Sequence, residues 1–238
     1  MSKVNNCKNA IILCSGGLDS AIAAFYAKNK LKYKRFKILF FDYRQKSLKQ
    51  ERRCSKMCAK ALNADFIEIK LDWLGKISSS PINKEGEVKK LNRKDLKNTS
   101  EESKKFYVPC RNTIFLTNAL ALAESLWIKD KEKYDILVGF KCEGKESYPD
   151  ATKEFVQEMN KLSKIGCSKY FKIISPLIEK DKEDIILIGK ELKVNLADTF
   201  SCYVPIKGKH CGYCLACKLR KEGFYWANTK DTTKYVNN

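Results

Sequence analysis

The sequence predicts an α/β fold: a doubly wound, mostly parallel sheet with a small cysteine-bearing C-terminal extension. Three observations predict it. Short apolar runs alternate with helical segments over the first 70 residues. A glycine turn, Ser15-Gly-Gly-Leu-Asp-Ser20, separates the first run from the first helical segment. Four cysteines, Cys202, Cys211, Cys214 and Cys217, crowd a short segment near the end of the chain.

The elements follow in order. Ala10-Ile-Ile-Leu-Cys14 is a short apolar run stopped by Ser15-Gly-Gly, the pattern of a buried strand and a tight turn. Asp19 and Ser20 are expected to cap a helix over Ala21–Ala27. Lys37–Asp42 reads as a second buried strand, residues 47–62 as a basic helix and Asp65–Ile69 as a third strand. Residues 76–105 are rich in Ser, Lys, Asn and Glu and lack periodicity, which predicts a long mobile loop or lid. A helix is expected from about Arg111 to Trp127, a strand over Tyr134–Gly139 and a helix from about Ala151. Phe171–Ser175 reads as another strand and Asp181–Leu192 as a helix with an Ile-Ile-Leu-Ile face. The remainder reads as a cysteine segment and a polar tail. The expected division is an α/β domain over 1–200 and a C-terminal segment over 201–238 packed on it.

Composition bounds the partners. The chain has 238 residues, and 47 Lys plus Arg against 28 Asp plus Glu give a net charge of +19. A content of 44% apolar and 11% aromatic residues is enough for a packed core. No uncharged apolar run approaches the roughly 18 residues of a membrane span, so no membrane partner is expected. The opening Met1-Ser-Lys-Val-Asn-Asn6 lacks a basic stretch followed by an apolar one, so no signal peptide is expected. Eleven cysteines without such a signal point to a reducing compartment, and a cytoplasmic location is expected. The charge suggests nucleic acid, but only seven of the 47 cations are Arg, the residue favoured for bidentate phosphate and base contacts. No stable nucleic-acid partner is expected. The single histidine, His210, excludes any mechanism that needs two, and it is expected on the surface.

The glycine turn lies where ligands bind in an open α/β sheet, at the carboxyl end of a strand and the start of a helix. Adjacent glycines let backbone N–H groups approach an anion, and the helix N-terminus adds free donors and partial positive charge. Ser15 and Ser20 add hydroxyls. The turn is a phosphate cradle by its chemistry, although an ordinary turn shares much of its composition. Neither Gly-x-Gly-x-x-Gly nor the Walker pattern is present there. Gly139–Lys145 matches the Walker spacing, but Glu146 stands where a hydroxyl is needed, so the match is accidental.

Cys202-x8-Cys211-x2-Cys214-x2-Cys217 offers four thiolates, which suits tetrahedral zinc with no open position and therefore a structural site. An iron–sulfur cluster and disulfides are the alternatives.

The string Ser15–Ser20 resembles the PP-loop of the N-type ATP pyrophosphatases. With the cysteine spacing and several further segments, the chain resembles the QueC family over about residues 8–222. Those segments are Phe41-Asp-Tyr43 with Gln45, Val108-Pro109 with Arg111-Asn112, Tyr148-Pro-Asp150, Ser175-Pro-Leu-Ile178 with Lys182, and Ser201-Cys202-Tyr203. The resemblance implies an adenine nucleotide alpha hydrolase-like fold and an ATP-dependent carbon–nitrogen ligase. Such an enzyme adenylates 7-carboxy-7-deazaguanine with ATP and Mg2+, admits ammonia to form an amide, and adenylates again to reach the nitrile of the queuosine pathway. It implies an ATP site of Leu13, Cys14, Ser15, Gly16, Gly17, Leu18, Asp19 and Ser20, with Ser15, Asp19, Ser20 and Arg111 catalytic. Tyr43, Gln45, Arg111, Asn112, Tyr148 and Asp150 would contact the substrate, and Cys202, Cys211, Cys214 and Cys217 would bind Zn2+. A homodimer is expected.

Several positions depart from the family pattern. Arg44 and Cys110 replace glycines, Ser47 stands where His is common, residues 140–147 lack an acidic stretch, and Ala151-Thr152 replaces Cys-Arg. These departures motivate a second reading, in which a different amine, such as one on a protein acceptor, takes the adenylated acid. Further alternatives are a tRNA thiolation enzyme using Cys110 or Cys142, and a basic zinc module that binds nucleic acid without catalysis.

Overall fold

The computed structural model describes residues 8–141 and 148–236. Five parallel strands form one sheet: β1 (Asn9–Leu13), β2 (Arg35–Asp42), β3 (Asp65–Lys70), β4 (Tyr134–Val138) and β5 (Ile173–Ile174). Their order is β3-β2-β1-β4-β5. Ile12 lies beside Ile38 on one side and Leu137 on the other. All of β1 is buried, as a central strand covered on both faces must be.

The alternation along β1 sorts its side chains between two helical layers. Ala10 and Ile12 pack with Ala21 and Ala24 of α1 (Leu18–Asn29) and with Cys58, Ala59 and Leu62 of α2 (Leu48–Leu62). Ile11 and Leu13 pack with Leu116, Ala119 and Ala123 of α5 (Arg111–Asp130), in a cluster that also takes Met159 of α6 (Lys153–Gly166). α7 (Lys182–Glu191) and α8 (Leu215–Trp226) lie outside α1, sharing Leu18, Ile22, Ile185, Ile186 and Phe224. The chain leaves β1 toward β2 on one side, while β4 sits on the other. The carboxyl ends of β1 and β4 therefore flank the point where strand order reverses, the crevice in which open α/β sheets bind ligands.

Some expectations are corrected. Gly17 is the N-cap of α1, so Asp19 and Ser20 sit inside its first turn. The chain between 76 and 105 is no structureless loop. It contains the end of α3 (Asp72–Ile77), a 3-10 turn at Lys94–Lys97 and α4 (Ser100–Lys105). Ile82 and Leu91 are buried in the main core, and scattered apolar anchors of this kind leave no periodic trace in sequence. A 3-10 turn at Pro149–Ala151 precedes α6. The polar tail is also structured: Cys214 is the N-cap of α8, which carries Cys217 in its first turn, and Tyr235 and Thr233 are buried.

Gly139, just past β4, meets the start of α1 with no room to spare. A Cβ there would stand 2.6 Å from Ser20 Cα and 2.7 Å from Ser20 N. Both are backbone atoms, so a side chain must push α1 and β4 apart. Gly139→Ala is expected to cost about 1–3 kcal/mol in urea unfolding, with a proportional fall in any ATP turnover. Unchanged stability would contradict this packing.

Candidate functional site

A cavity of about 310 Å³ opens at the β1/β4 crevice. Leu13, Cys14, Ser15, Gly17, Leu18, Asp19 and Ser20 line one end of it, and Tyr43, Arg111, Asn112 and Tyr148 line the other. Gly16 instead turns its backbone against α2. Its φ is +76°, and a Cβ would lie 2.6 Å from Ser55 N and 2.7 Å from Glu51 O. Only glycine fits there.

The turn is held from every side. Ser55 Oγ donates to Cys14 O at 2.8 Å, and Phe200 N–H donates to Gly16 O at 2.9 Å. Ser20 Oγ donates to Gly17 O at 3.1 Å, and Ser15 Oγ accepts from Gly17 N–H at 3.3 Å. The first N–H groups of α1 have no intrahelical partner, and the residues that carry them, Leu18, Asp19 and Ser20, line the cavity, where an anion site would need them.

Lys182, the first residue of α7, also lines the cavity. Its ammonium donates to both Asp19 oxygens, at 2.8 and 2.7 Å. An Asp181–Asp184 capping box fixes that helix start. The pair places a cation and a carboxylate together at the phosphate end of the cleft. Sequence reasoning passed over Lys182 as a site residue. The signal was its position just after an Asp N-cap.

At the other end, Arg111 stacks over the Tyr43 ring at 5.8 Å and reaches its hydroxyl at 3.4 Å. Nearby Tyr43, Tyr148, Tyr203 and Asp150 favour the charged guanidinium over the opposing effect of burial. Burial pushes the Tyr43 hydroxyl up to about 12, with Arg111 opposing, so it stays protonated. A fixed cation beside a neutral phenol suits a planar carboxylate. Phe41 and Phe115 stack beside it with ring centroids 4.0 Å apart.

Two expected contact residues serve the framework. Gln45 is buried, accepts from Tyr43 N–H at 2.9 Å and donates to Phe41 O at 3.0 Å. Asp150 is buried and accepts from Asn112 N–H at 2.9 Å, capping α5 from outside the helix. Neither lies on the cavity wall, whereas Tyr148 does. Arg44 and Cys110 both adopt positive φ, 62° and 52°. That is the conformation in which glycine carries no penalty, so these departures keep the backbone course the glycines would have given. Glu51, also unforeseen, lines the cavity from α2. Residues 142–147, which include Cys142 and the end of the Walker-like string, lie outside the described residues.

The four cysteines converge as their spacing predicts. All four sulfurs lie within 4.8 Å of one another and are buried. Sulfurs about 2.3 Å from one tetrahedral zinc stand about 3.8 Å apart. The Cys211–Cys217 and Cys202–Cys214 pairs are 3.8 and 4.0 Å apart. Cys211 N–H and Cys214 N–H donate to Cys202 and Cys211 sulfurs at 3.2 and 3.3 Å, partners that suit thiolates. The residues fit a closed four-thiolate metal centre. His210 is not on the surface: it is buried, and its Nε2 accepts from Ser201 N–H at 3.1 Å. Fully buried Arg220 donates to Thr199, Ser201, Thr233 and the carbonyl of Leu196. It ties α8 and the tail to the strip that contacts Gly16.

The profile of the queuosine biosynthesis protein QueC matches residues 9–228. The chain is 36% identical over 229 residues to a protein of Methanosphaera stadtmanae named 7-cyano-7-deazaguanine synthase, covering 95% of this chain and 97% of that one. A protein of the same name from Campylobacter hominis is 36% identical over 234 residues, covering 95% and 99%. One from Methanobrevibacter smithii is 34% identical, covering 96% and 98%. The site and these matches make the chain an ATP-utilising PP-loop α/β protein with a four-cysteine metal-binding group. It belongs to the QueC family.

The cysteine centre and the PP-loop share the Phe200–Cys202 strip, so loss of metal should reach the cleft. Cys214→Ser, or prolonged chelation of the wild type, is expected to lower the melting temperature by about 10 °C or more and to weaken nucleotide binding. A stable chelated protein with intact nucleotide binding would contradict the link.

Proposed function

We propose that this chain is an ATP-dependent carbon–nitrogen ligase that converts 7-carboxy-7-deazaguanine to 7-cyano-7-deazaguanine. One observation carries the reading: a single cavity joins the PP-loop to Arg111, Asn112 and Tyr43, so an α-phosphate and a carboxylate can meet inside it. The names of the relatives support the same reaction. The thiolase, nucleic-acid and alternative-amine readings draw no support from the relatives.

In this reading the backbone donors and hydroxyls of Ser15–Ser20 hold the phosphates of ATP, and Lys182 adds a cation beside them. Asp19 would hold Mg2+, which supplies charge neutralisation for the leaving pyrophosphate. Arg111 orients the substrate carboxylate toward the α-phosphorus, and Asn112 and Tyr148 face the deazaguanine. The carboxylate oxygen attacks the α-phosphorus and expels pyrophosphate. Free ammonia then displaces AMP to give the amide, and a second adenylation, now on the amide oxygen, leads to the nitrile. Cys202, Cys211, Cys214 and Cys217 would hold Zn2+ as a structural ion. The enzyme acts in the cytoplasm as a homodimer.

Incubation with ATP, Mg2+, ammonium and 7-carboxy-7-deazaguanine, followed by mass spectrometry, tests the reading. The expected outcome is the amide followed by the nitrile, with two AMP per nitrile. AMP release without nitrile would contradict the assignment.

A further inference from the structure

The proposed reaction has a step for which the ATP loop and Arg111 supply no group. Adenylation of the amide oxygen releases pyrophosphate and one N–H proton and leaves an imidate with one N–H. For the nitrile to form, the C–O bond breaks and its electron pair leaves with AMP. The remaining N–H pair becomes the second π-bond of C≡N. That last proton needs an acceptor in the cleft, because the step is an elimination.

Among the described residues lining the cavity, two are carboxylates, Asp19 and Glu51. Both Asp19 oxygens are held by the Lys182 ammonium. The Glu51 oxygens accept only from neutral donors in its surroundings: Ser47 Oγ at 2.6 Å and Gln45 Nε2 at 3.0 Å. Each oxygen keeps a further lone pair for a substrate hydrogen. Glu51 is partly accessible, and its own backbone carbonyl packs against Gly16. The first turns of α2 therefore lie against the PP-loop, and Glu51 shares the cavity with Arg111.

We infer that Glu51 is the general base that takes the final N–H proton as the adenylated amide collapses to nitrile and AMP. This inference rests on the function proposed above. The proton moves from nitrogen to the Glu51 carboxylate and then to solvent through the cleft. The Ser47 and Gln45 hydrogen bonds aim the carboxylate, so Ser47, where the family commonly has His, is a positioning residue for the step.

The surrounding charges suit the role. Burial pushes the Glu51 carboxyl above the usual carboxylate range, against the opposing effects of Ser47, Gln45 and the Arg111 charge. Tyr43, facing it, stays protonated. Arg52, next on α2, is engaged with Asp42 and Glu68. Asp19 and Lys182 neutralise each other across the loop. A raised value makes a better base once ionised. Because ionised Glu51 is the active form, the rate of nitrile formation should rise with pH through that raised value.

The experiment starts from the chemically prepared amide with ATP and Mg2+, and reads nitrile formation across pH 5–9. For Glu51→Gln we expect a fall of about 100-fold and loss of the acid limb of the profile. Glu51→Asp should be slower than wild type but keep that limb, which a purely structural role would not produce. Nitrile formation by Glu51→Gln within threefold of wild type, or with the acid limb intact, would overturn the inference. If Glu51→Gln does not fold, the Glu51→Asp profile decides the matter: loss of the acid limb overturns it. A wild type that makes no nitrile from the amide contradicts the functional reading itself.

Discussion

Everything at this site depends on the close approach of the Gly16 backbone to α2. The sheet brings β1 to the centre of the fold, and the chain must then turn sharply into α1. It can do so in the observed position only because Gly16 has no side chain to strike Ser55 and Glu51. That contact seats the loop on α2, lets Gly17 cap α1, and brings the first turn of the helix to the wall of the crevice. Gly139 makes the same kind of contact from β4. Two missing methyl groups thus set the distance between the strands that flank the cavity and the helix whose first turn lines it.

The charge of the protein takes on a local meaning in this frame. A net +19 drew attention first to nucleic acid. Within the cleft, however, the cations are few and individually placed. Lys182 is paired with Asp19, Arg111 stacks on Tyr43, and Arg220 is buried as a brace behind the loop. These charges are held by hydrogen bonds and packing, where low dielectric makes each count for more than a surface lysine does. The metal centre joins the same structure through Phe200, whose N–H reaches Gly16. A four-cysteine metal-binding group remote in sequence is therefore adjacent to the PP-loop in space.

Much of this was legible in the sequence because it is written in local patterns. The strand–turn–helix around Ser15–Ser20 and the x2 cysteine spacing are short-range signals with a direct physical reading. The strands and their parallel arrangement followed from apolar runs that alternate with helices, while their order in the sheet did not. What escaped was set by tertiary contacts. Residues 76–105 looked unstructured because Ile82 and Leu91 anchor them singly, without a period. His210 looked exposed among lysines, yet it is buried against Ser201. Gln45 and Asp150 carry polar side chains suited to a ligand, but their hydrogen bonds are spent on Tyr43 and Asn112. Lys182 and Glu51 acquire their placement only when α7 and α2 converge on the loop. A polar residue type tells what a side chain can bond to, while the fold decides whether the partner is the protein or its substrate.

The central claim is that the cavity joins a carboxylate to the α-phosphorus of ATP. Oxygen transfer measures this most directly. With 7-carboxy-7-deazaguanine labelled with 18O in its carboxylate, attack on the α-phosphorus and later displacement of AMP must carry one labelled oxygen into AMP. The account predicts AMP heavier by that one oxygen, together with unlabelled pyrophosphate. Unlabelled AMP, or release of ADP and phosphate, would contradict it.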